Sequence, residues 1–297
     1  MRSVRTACPQ WPRASPKKLR DDGRERGITM TDTTFTVFTK PWRSHSLEHL
    51  GELVARLGFW GVELPIRPGF QVEPEYVTSQ LPDAARILGK SGVTIHSVSP
   101  PMRATITPEL VNACADANVG IIRICVGVPT GTGYFQRIAE VQKEFHALLP
   151  VLEKSGVAIG VQNHNGHDLS HAMGLRELLK PFDPRQICAV WDPAHTALSG
   201  EIPEHAAEII WPHLRMLNLK NAYWRRLNGP ESPAAKYGVH WTSGRQGLAP
   251  WREIVALVRA RGYTAPVCLP AEYSDETDLE RLISDDLEFA QSLFGVI

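Results

Sequence analysis

A chain of 297 residues, 43% of them hydrophobic, is long enough to bury one large core. Its 32 Lys+Arg balance 32 Asp+Glu, so no net charge draws it to nucleic acid or to an anionic membrane surface, and no apolar run reaches the length of a membrane span. Five cysteines without a CxxC pair read as small core residues in a reducing, cytoplasmic compartment, four of them (Cys114, Cys125, Cys188, Cys268) within apolar patterns and Cys8 in an N-terminal arm.

Residues 1–29 are rich in Arg, Lys, Pro and polar side chains without apolar periodicity. They read as a disordered basic tail or a misassigned start, which leaves 30–297 as the folded domain. From Thr34 the pattern alternates. Phe35-Thr36-Val37-Phe38 is the first strand, and Ser46 caps a helix whose apolar face is Leu47, Leu50, Val54 and Leu57. Gly61-Val62-Glu63-Leu64 is the second strand, closed by Pro65 and Pro68. A helix carrying Val77, Leu81, Ala84 and Leu88 leads to the third, 93–98. Another, with Leu110, Val111 and Cys114, leads to the fourth, 121–126. The long helix after Tyr134 stops at Gly156, ahead of a fifth strand over 157–161. A helix around Leu175 and Leu179 precedes the sixth, 187–190, which runs into Trp191-Asp192-Pro193. Ala206, Ile209 and Ile210 mark the next helix and 216–219 the seventh strand. Asn221 to Gly247 is a polar and aromatic segment read without regular elements. Trp251, Ile254 and Val258 then form a helix, 267–269 the eighth strand, and the last helix runs from about Leu279 to Phe294.

Eight strands, each followed by a helix, have the rhythm of a single-domain α/β fold, the (β/α)8 TIM barrel. The strands are unbroken apolar runs, as expected when both faces are covered. An open doubly wound sheet would carry a Gly-rich phosphate turn after its first strand, and Thr39-Lys40-Pro41-Trp42 is not one. In such a barrel the polar residues at the strand C-termini line the functional mouth. Here they are Lys40 and Trp42, Glu63, His96, Gln162-Asn163-His164, Asp192 and His195, Asn218 and Lys220, and Glu272. Trp224, Arg225, Arg226, His240, Trp241 and Arg245 join them from the long segment.

Several motifs in register carry a resemblance: Gly61-Val62-Glu63-Leu64, Val161-Gln162-Asn163-His164, Trp191-Asp192-Pro193-Ala194-His195, Leu219-Lys220, Gly244-Arg245-Gln246-Gly247, and Gly262-Tyr263 leading to Ala271-Glu272. Over most of 34–294 the chain resembles the sugar phosphate isomerase/epimerase group with the xylose isomerase-like TIM barrel. The resemblance implies a divalent ion held by a Glu after the fifth strand, an Asp after the sixth, a His on the seventh and a Glu after the eighth. Asp192 and Glu272 keep that pattern, while the other two positions are the amides Gln162 and Asn218. The implied metal set is therefore Gln162, Asp192, Asn218 and Glu272. Amide oxygens accept hard cations, so the expected cofactor is a weakly held divalent cation, Mg or Mn, or none. Gln162 accepts no proton, which removes the two-base epimerisation of the family and leaves chemistry with one base.

The expected catalytic residues are Glu272 as base, with His195 and Lys220 polarising substrate oxygens. Glu63, His96, His164, Trp42, Trp224, Arg225 and Arg245 are the expected substrate-binding residues. Each has a plainer reading: His195 as a helix cap, Lys220 as a salt bridge to Glu272, Glu63 paired structurally with Arg123, the tryptophans as lid packing, and the loop arginines as solvated charges. The function expected is an isomerase/epimerase-like enzyme of carbohydrate metabolism. It would move a proton, by isomerisation or elimination, on a keto-sugar or keto-polyol, with dehydratase and lyase chemistry left open. The alternative is a catalytically silent sugar- or protein-binding barrel with an eroded metal site. The partner expected is a small-molecule sugar or keto-polyol, with no nucleic acid and no membrane, and self-association is left open.

Overall fold

The structure is a computed structural model and describes residues 33–102 and 104–296. The tail reading of 1–29, with Cys8, lies outside them. Ten strands occur in chain order: β1 (Phe35–Phe38), β2 (Gly61–Pro65), β3 (Thr94–Ser99), β4 (Ile121–Cys125), β5 (Ala158–Gln162), β6 (Ile187–Trp191), β7 (Leu214–Asn218), β8 (Asn221–Arg226), β9 (Tyr237–Thr242) and β10 (Val267–Leu269). Eight of them close into a parallel barrel in the order β1-β10-β7-β6-β5-β4-β3-β2, while β8 and β9 pair only with each other. Helices α1 (Leu47–Arg56), α2 (Val77–Gly89), α3 (Pro108–Asp116), α4 (Tyr134–Ser155), α5 (Ala172–Leu179), α6 (Pro193–Leu198), α7 (Pro203–Ile210), α8 (Trp251–Ala260) and α9 (Leu279–Phe294) fill the connections. The eight-stranded expectation is met strand for strand. Cys114, Cys125, Cys188 and Cys268 are buried free thiols. No helix among the described residues is long and apolar enough to cross a membrane.

Local chemistry explains the boundaries. Ser46 Oγ accepts the His49 amide N–H at 3.2 Å and starts α1, which buries Leu50, Leu53 and Val54. Gly156 ends α4 at φ 71°, a left-handed position where a side chain would be strained.

What positions the site is the parity of the strands. Phe38, Ile121, Val190, Met216 and Cys268 pack together as an apolar layer inside the barrel. The layer has no room to spare: a Cβ added to Gly160 would lie 2.7 Å from Val190 Cγ2 and 3.0 Å from Ile121 Cγ2. Side chains two residues apart share a strand face, so the next layer toward the mouth comes from Arg123, Gln162, Asp192 and Asn218. A polar layer thus sits directly on an apolar floor.

His96 departs from the expectation that it reaches the mouth. Val62 pairs with Ile95 and Glu63 with Ser97, so His96 is the skipped residue of a β-bulge. Ser97 pairs with Ile121, the first residue of β4, which places His96 nearer the strand starts. Ser97 therefore takes the inward position, its Oγ donating to Glu63 Oε1 at 3.2 Å. Burial lowers the imidazole pKa of His96, and Arg215 near the start of β7 lowers it further.

The segment read without elements holds the β8–β9 hairpin. Its signal is the alternation Tyr237, Val239, Trp241, which puts Val239 and Trp241 on one face. That face packs with Ala222 against Ala194 and Leu198 of α6. Asn221 fastens its base, donating to Gly244 O at 2.9 Å and Ala249 O at 2.8 Å. Trp241 exchanges two hydrogen bonds with Ser274, at 2.9 and 3.0 Å, and so closes the hairpin over the barrel.

Candidate active site

Asp192, the residue directly after β6, both caps a helix and faces the mouth. Its Oδ1 accepts the N–H groups of Ala194 and His195 at 3.0 and 3.3 Å, the N-cap of α6. Its Oδ2 accepts from Gln162 Nε2 at 2.9 Å and lies 3.7 Å from Lys220 Nζ and 3.6 Å from His195 Nε2. Asn163 clamps the same backbone, donating to Asp192 O and accepting from Asp192 N–H at 2.9 and 2.8 Å. Burial raises the Asp192 carboxyl, with Lys220 acting in the opposite direction.

Lys220 stands between the two surviving carboxylates. Nζ is 3.0 Å from Glu272 Oε2 and 4.0 Å from the centre of the Trp241 ring. Burial alone would lower its pKa, but Glu272 and Asp192 outweigh that and hold the ammonium above its ordinary value. It stays charged, and is neither the nucleophile nor the ready proton donor that a desolvated amine would be. Glu272 Oε1 is also paired with Lys40 at 2.5 Å. Burial would raise the Glu272 carboxyl, but Lys220 and then Lys40 hold it far below the usual carboxylate range. A carboxylate pinned by two ammoniums is a weaker base than a free one.

Arg123 is the other organising cation. From the middle of β4 it donates to both Glu63 oxygens, at 2.8 and 2.7 Å, and to Gln162 Oε1 at 2.8 Å. Its guanidinium lies 4.9 Å over the Phe38 ring of the apolar floor. Glu63 is fully buried and committed to this pair, so the structure gives it the structural partner weighed against substrate binding.

The four metal-set residues do converge, yet they do not fit a divalent cation. Gln162 Oε1 is taken by Arg123 and by Asn218 Nδ2 at 3.2 Å, Asp192 is filled on both oxygens, and Glu272 is neutralised twice. Only Asn218 Oδ1 is without a partner. Among the described residues no cluster of three His, Cys, Asp or Glu is arranged to hold a metal.

His195 is buried beneath Trp241, the two rings meeting edge to face at 5.3 Å, and its ring lies 4.1 Å from that of His164. Asn165 holds Nδ1 twice, its backbone N–H donating at 3.2 Å and its side-chain Oδ1 lying 2.7 Å away, while Nε2 faces Asp192 Oδ2 at 3.6 Å. Nε2 is buried and unpartnered. Burial, then Lys220, His164 and Arg123, hold the imidazole pKa well below its ordinary value, so the ring is neutral. His164 Nδ1 meets Asp168 Oδ2 at 3.0 Å.

Other expected residues fall elsewhere. Trp42 is buried in the core and offers no open face. Trp224 is exposed and donates to Leu198 O at 3.0 Å, and Arg225 is exposed further along the hairpin. Arg245 turns away from the mouth to lie 3.7 Å over Phe289 of α9. The aromatic that does cover the mouth is Trp241. Arg123 takes the Glu63 partner weighed from the sequence, and Lys40 acquires in Glu272 a partner that sequence position alone did not supply.

Asp286 on α9 braces this arrangement from outside, accepting from Gly244 N–H and Tyr273 O–H at 2.8 Å each. Burial pushes its carboxyl up to about 6. A folded pKa raised above the unfolded one contributes stability below the unfolded value and loses it as pH rises through the folded value. Asp286→Asn keeps the neutral shape. Its stability relative to the parent should therefore rise between pH 4 and pH 7.5 by roughly 2–3 kcal/mol in urea denaturation. A pH-independent difference would show that Asp286 ionises normally.

A protein-family model described as xylose isomerase-like TIM barrel matches residues 52–293. No match is found among curated protein sequences. Among solved structures, D-psicose 3-epimerase with D-tagatose from Clostridium cellulolyticum H10 aligns at 16% identity and TM-score 0.66, covering 88% of this chain and 99% of that one. A xylose isomerase-like TIM barrel protein from Mycobacterium smegmatis in complex with magnesium aligns at 12% identity and TM-score 0.67, covering 91% and 99%. The probable 3-DHS dehydratase from Bacillus anthracis aligns at 13% identity and TM-score 0.64, covering 86% and 98%. At these identities the likeness is one of fold.

Proposed function

We propose a function for a chain that belongs to the xylose isomerase-like TIM barrel family: proton transfer, by isomerisation or elimination, on a small polyhydroxylated carbonyl compound such as a keto-sugar or keto-polyol. The Lys220 ammonium serves as the electrophile in place of a divalent cation. The observation that carries this reading is a pair of buried polar atoms without hydrogen-bond partners, His195 Nε2 and Asn218 Oδ1, on the residues around a buried ammonium. Buried polar atoms without partners cost free energy, and a polyol's hydroxyl groups, which both donate and accept, supply the partners they lack.

In this reading a Lys220 N–H donates to the substrate carbonyl oxygen. Neutral His195, in the tautomer with its proton on Nδ1 against Asn165 Oδ1, takes the proton from the adjacent carbon at Nε2, and the electron pair moves to the carbonyl oxygen as an enediolate held by the ammonium. In an isomerisation His195 returns the proton to the former carbonyl carbon while the proton of the neighbouring hydroxyl passes to the enediolate oxygen. In an elimination the β-hydroxyl leaves as water with the proton held by His195, as the enediolate electrons re-form the carbonyl and a C=C bond. Glu272 keeps Lys220 charged and in place. Because Trp241 covers both Lys220 and His195, substrate enters by displacing the hairpin side chain. The magnesium of the Mycobacterium smegmatis protein belongs to that protein, and no step here is assigned to a metal.

The test is hydrogen exchange in D2O with a panel of ketoses and aldoses, followed by proton NMR in the presence of EDTA. Deuterium should enter the carbon beside the carbonyl, and His195→Gln should lower that rate roughly 10²–10⁴-fold. Wild-type protein that exchanges no substrate of the panel would overturn the assignment. The double neutralisation of Glu272 favours a second reading, a sugar-binding barrel without turnover, which predicts saturable binding of the panel with no exchange.

A further inference from the structure

Among the described residues one cation near the inner mouth stands without a carboxylate of its own. Glu63 is matched by Arg123, and Glu272 by Lys220 and Lys40, with Asp192 also beside Lys220. Arg67, in the loop after β2, joins the same cluster: its charge is felt with those of Arg123, Glu272 and Glu63. Its guanidinium lies 5.5 Å over the ring of Phe38, the ring that Arg123 covers from 4.9 Å. Yet among the described residues Arg67 has no carboxylate partner. One nitrogen donates to Ser99 Oγ at 2.9 Å, at the mouth end of β3, and Nε is buried with no acceptor.

The loop holds this side chain in place. Arg67 N–H donates to Val72 O at 3.1 Å, and Ile66 bridges Val72. A guanidinium cannot shed its proton, so a half-buried one without a counter-charge carries an uncompensated desolvation cost. Arg123, on the same ring, meets that cost with a two-pronged carboxylate. Arg67 has only a hydroxyl, and its fork matches a planar carboxylate or a phosphate.

Resting on the proton-transfer reading of this mouth, we propose that Arg67 anchors an oxyanion of the substrate, a carboxylate or a phosphate, so that the substrate is an acidic derivative of a keto-sugar or keto-polyol. The hydroxyls then face His195 and Asn218, and the carbonyl faces Lys220. An anion at Arg67 completes the charge balance of the mouth and places selectivity opposite the catalytic side.

The experiment is calorimetric titration of wild type, Arg67→Gln and Arg67→Lys with D-fructose, D-fructose 6-phosphate and 5-keto-D-gluconate, with melting temperatures recorded in parallel. At least one charged probe should bind wild type tenfold or more tightly than D-fructose, and which one does so separates phosphate from carboxylate. Arg67→Gln should bring that probe down to the D-fructose level while leaving D-fructose binding unchanged, and Arg67→Lys should retain part of the margin. Equal affinity for all three probes in wild type, or a margin that survives Arg67→Gln in folded protein, overturns the assignment. If D-fructose binds and exchanges deuterium while neither charged probe gains, Arg67 alone is wrongly assigned. If no probe binds and none exchanges, the reading of the whole mouth falls with it.

Discussion

Lys220→Met should stop turnover and weaken the fold together. Among the described residues Nζ is the only ammonium paired with Asp192, and one of two that hold Glu272. Removing it leaves Asp192, wholly buried, with hydrogen bonds but no opposite charge. Taking one partner from a buried pair costs on the order of 3–5 kcal/mol, and the lower end fits here because Glu272 keeps Lys40. Loss of the contact with Trp241 adds roughly 1 kcal/mol. Turnover should fall roughly 10²–10³-fold in kcat, since the donor that stabilises developing negative charge is gone. Urea denaturation and deuterium exchange at a temperature where the variant stays folded read the two effects separately. A variant as stable as its parent would mean that the carboxylates do not depend on Lys220.

Arg123→Met should be the most damaging single change for stability without touching the proposed reacting groups. It strips Glu63, fully buried, of both its charge-assisted hydrogen bonds, and Gln162 Oε1 of its shorter one. A loss of about 3–5 kcal/mol is expected, because the charge that remains has no route to water. Glu63→Gln alone leaves the guanidinium buried and should cost a similar amount. The double variant Arg123→Met with Glu63→Gln should recover a substantial part, giving a coupling of roughly 1–3 kcal/mol in a double-mutant cycle. Additive losses would show that the two side chains do not act as a pair.

The barrel was legible because its signals are local. Unbroken apolar runs such as Ala158-Ile159-Gly160-Val161, a stop at Gly156 and a proline after Asp192 place strands and their ends without knowledge of neighbours. Asp192, Asn218, Lys220 and Glu272 were legible for the same reason, each standing at or just past a strand's C-terminus. What escaped depends on pairs far apart in sequence. Lys40 is one such case, since Glu272 lies 232 positions away, and the Arg123 pairing with Glu63, 60 positions away, stood only as one of two readings until the fold brings the two together. His96 was misplaced because a bulge shifts strand parity by one, and nothing in Thr94-Ile95-His96-Ser97 announces the skipped residue. The tryptophans show the third kind of limit. Composition puts Trp42, Trp224 and Trp241 near the mouth alike, and only packing decides that the first is core, the second exposed and the third a cover.

The amides at positions 162 and 218 take on a different meaning once Lys220 is seen between the carboxylates. A carboxylate at 162 would meet the side chain of Asp192, whereas an amide donates to Asp192 and accepts from Arg123 at once. Gln162 therefore suits a mouth whose positive charge is built in. Trp241, over Lys220, completes that substitution by shielding the ammonium from water.

The central claim, that the Lys220 ammonium occupies the role a divalent cation plays elsewhere in the fold, is tested most directly by titrating Mn²⁺ into chelator-treated protein and following free ion by electron paramagnetic resonance. Wild type should show no saturable site at the mouth. Lys220→Met, with Asp192 released and Glu272 left to Lys40 alone, should take up one Mn²⁺ per chain, and Asp192→Asn in that background should abolish the uptake. A wild-type protein that binds Mn²⁺ stoichiometrically, and loses it on Asp192→Asn, would contradict the account.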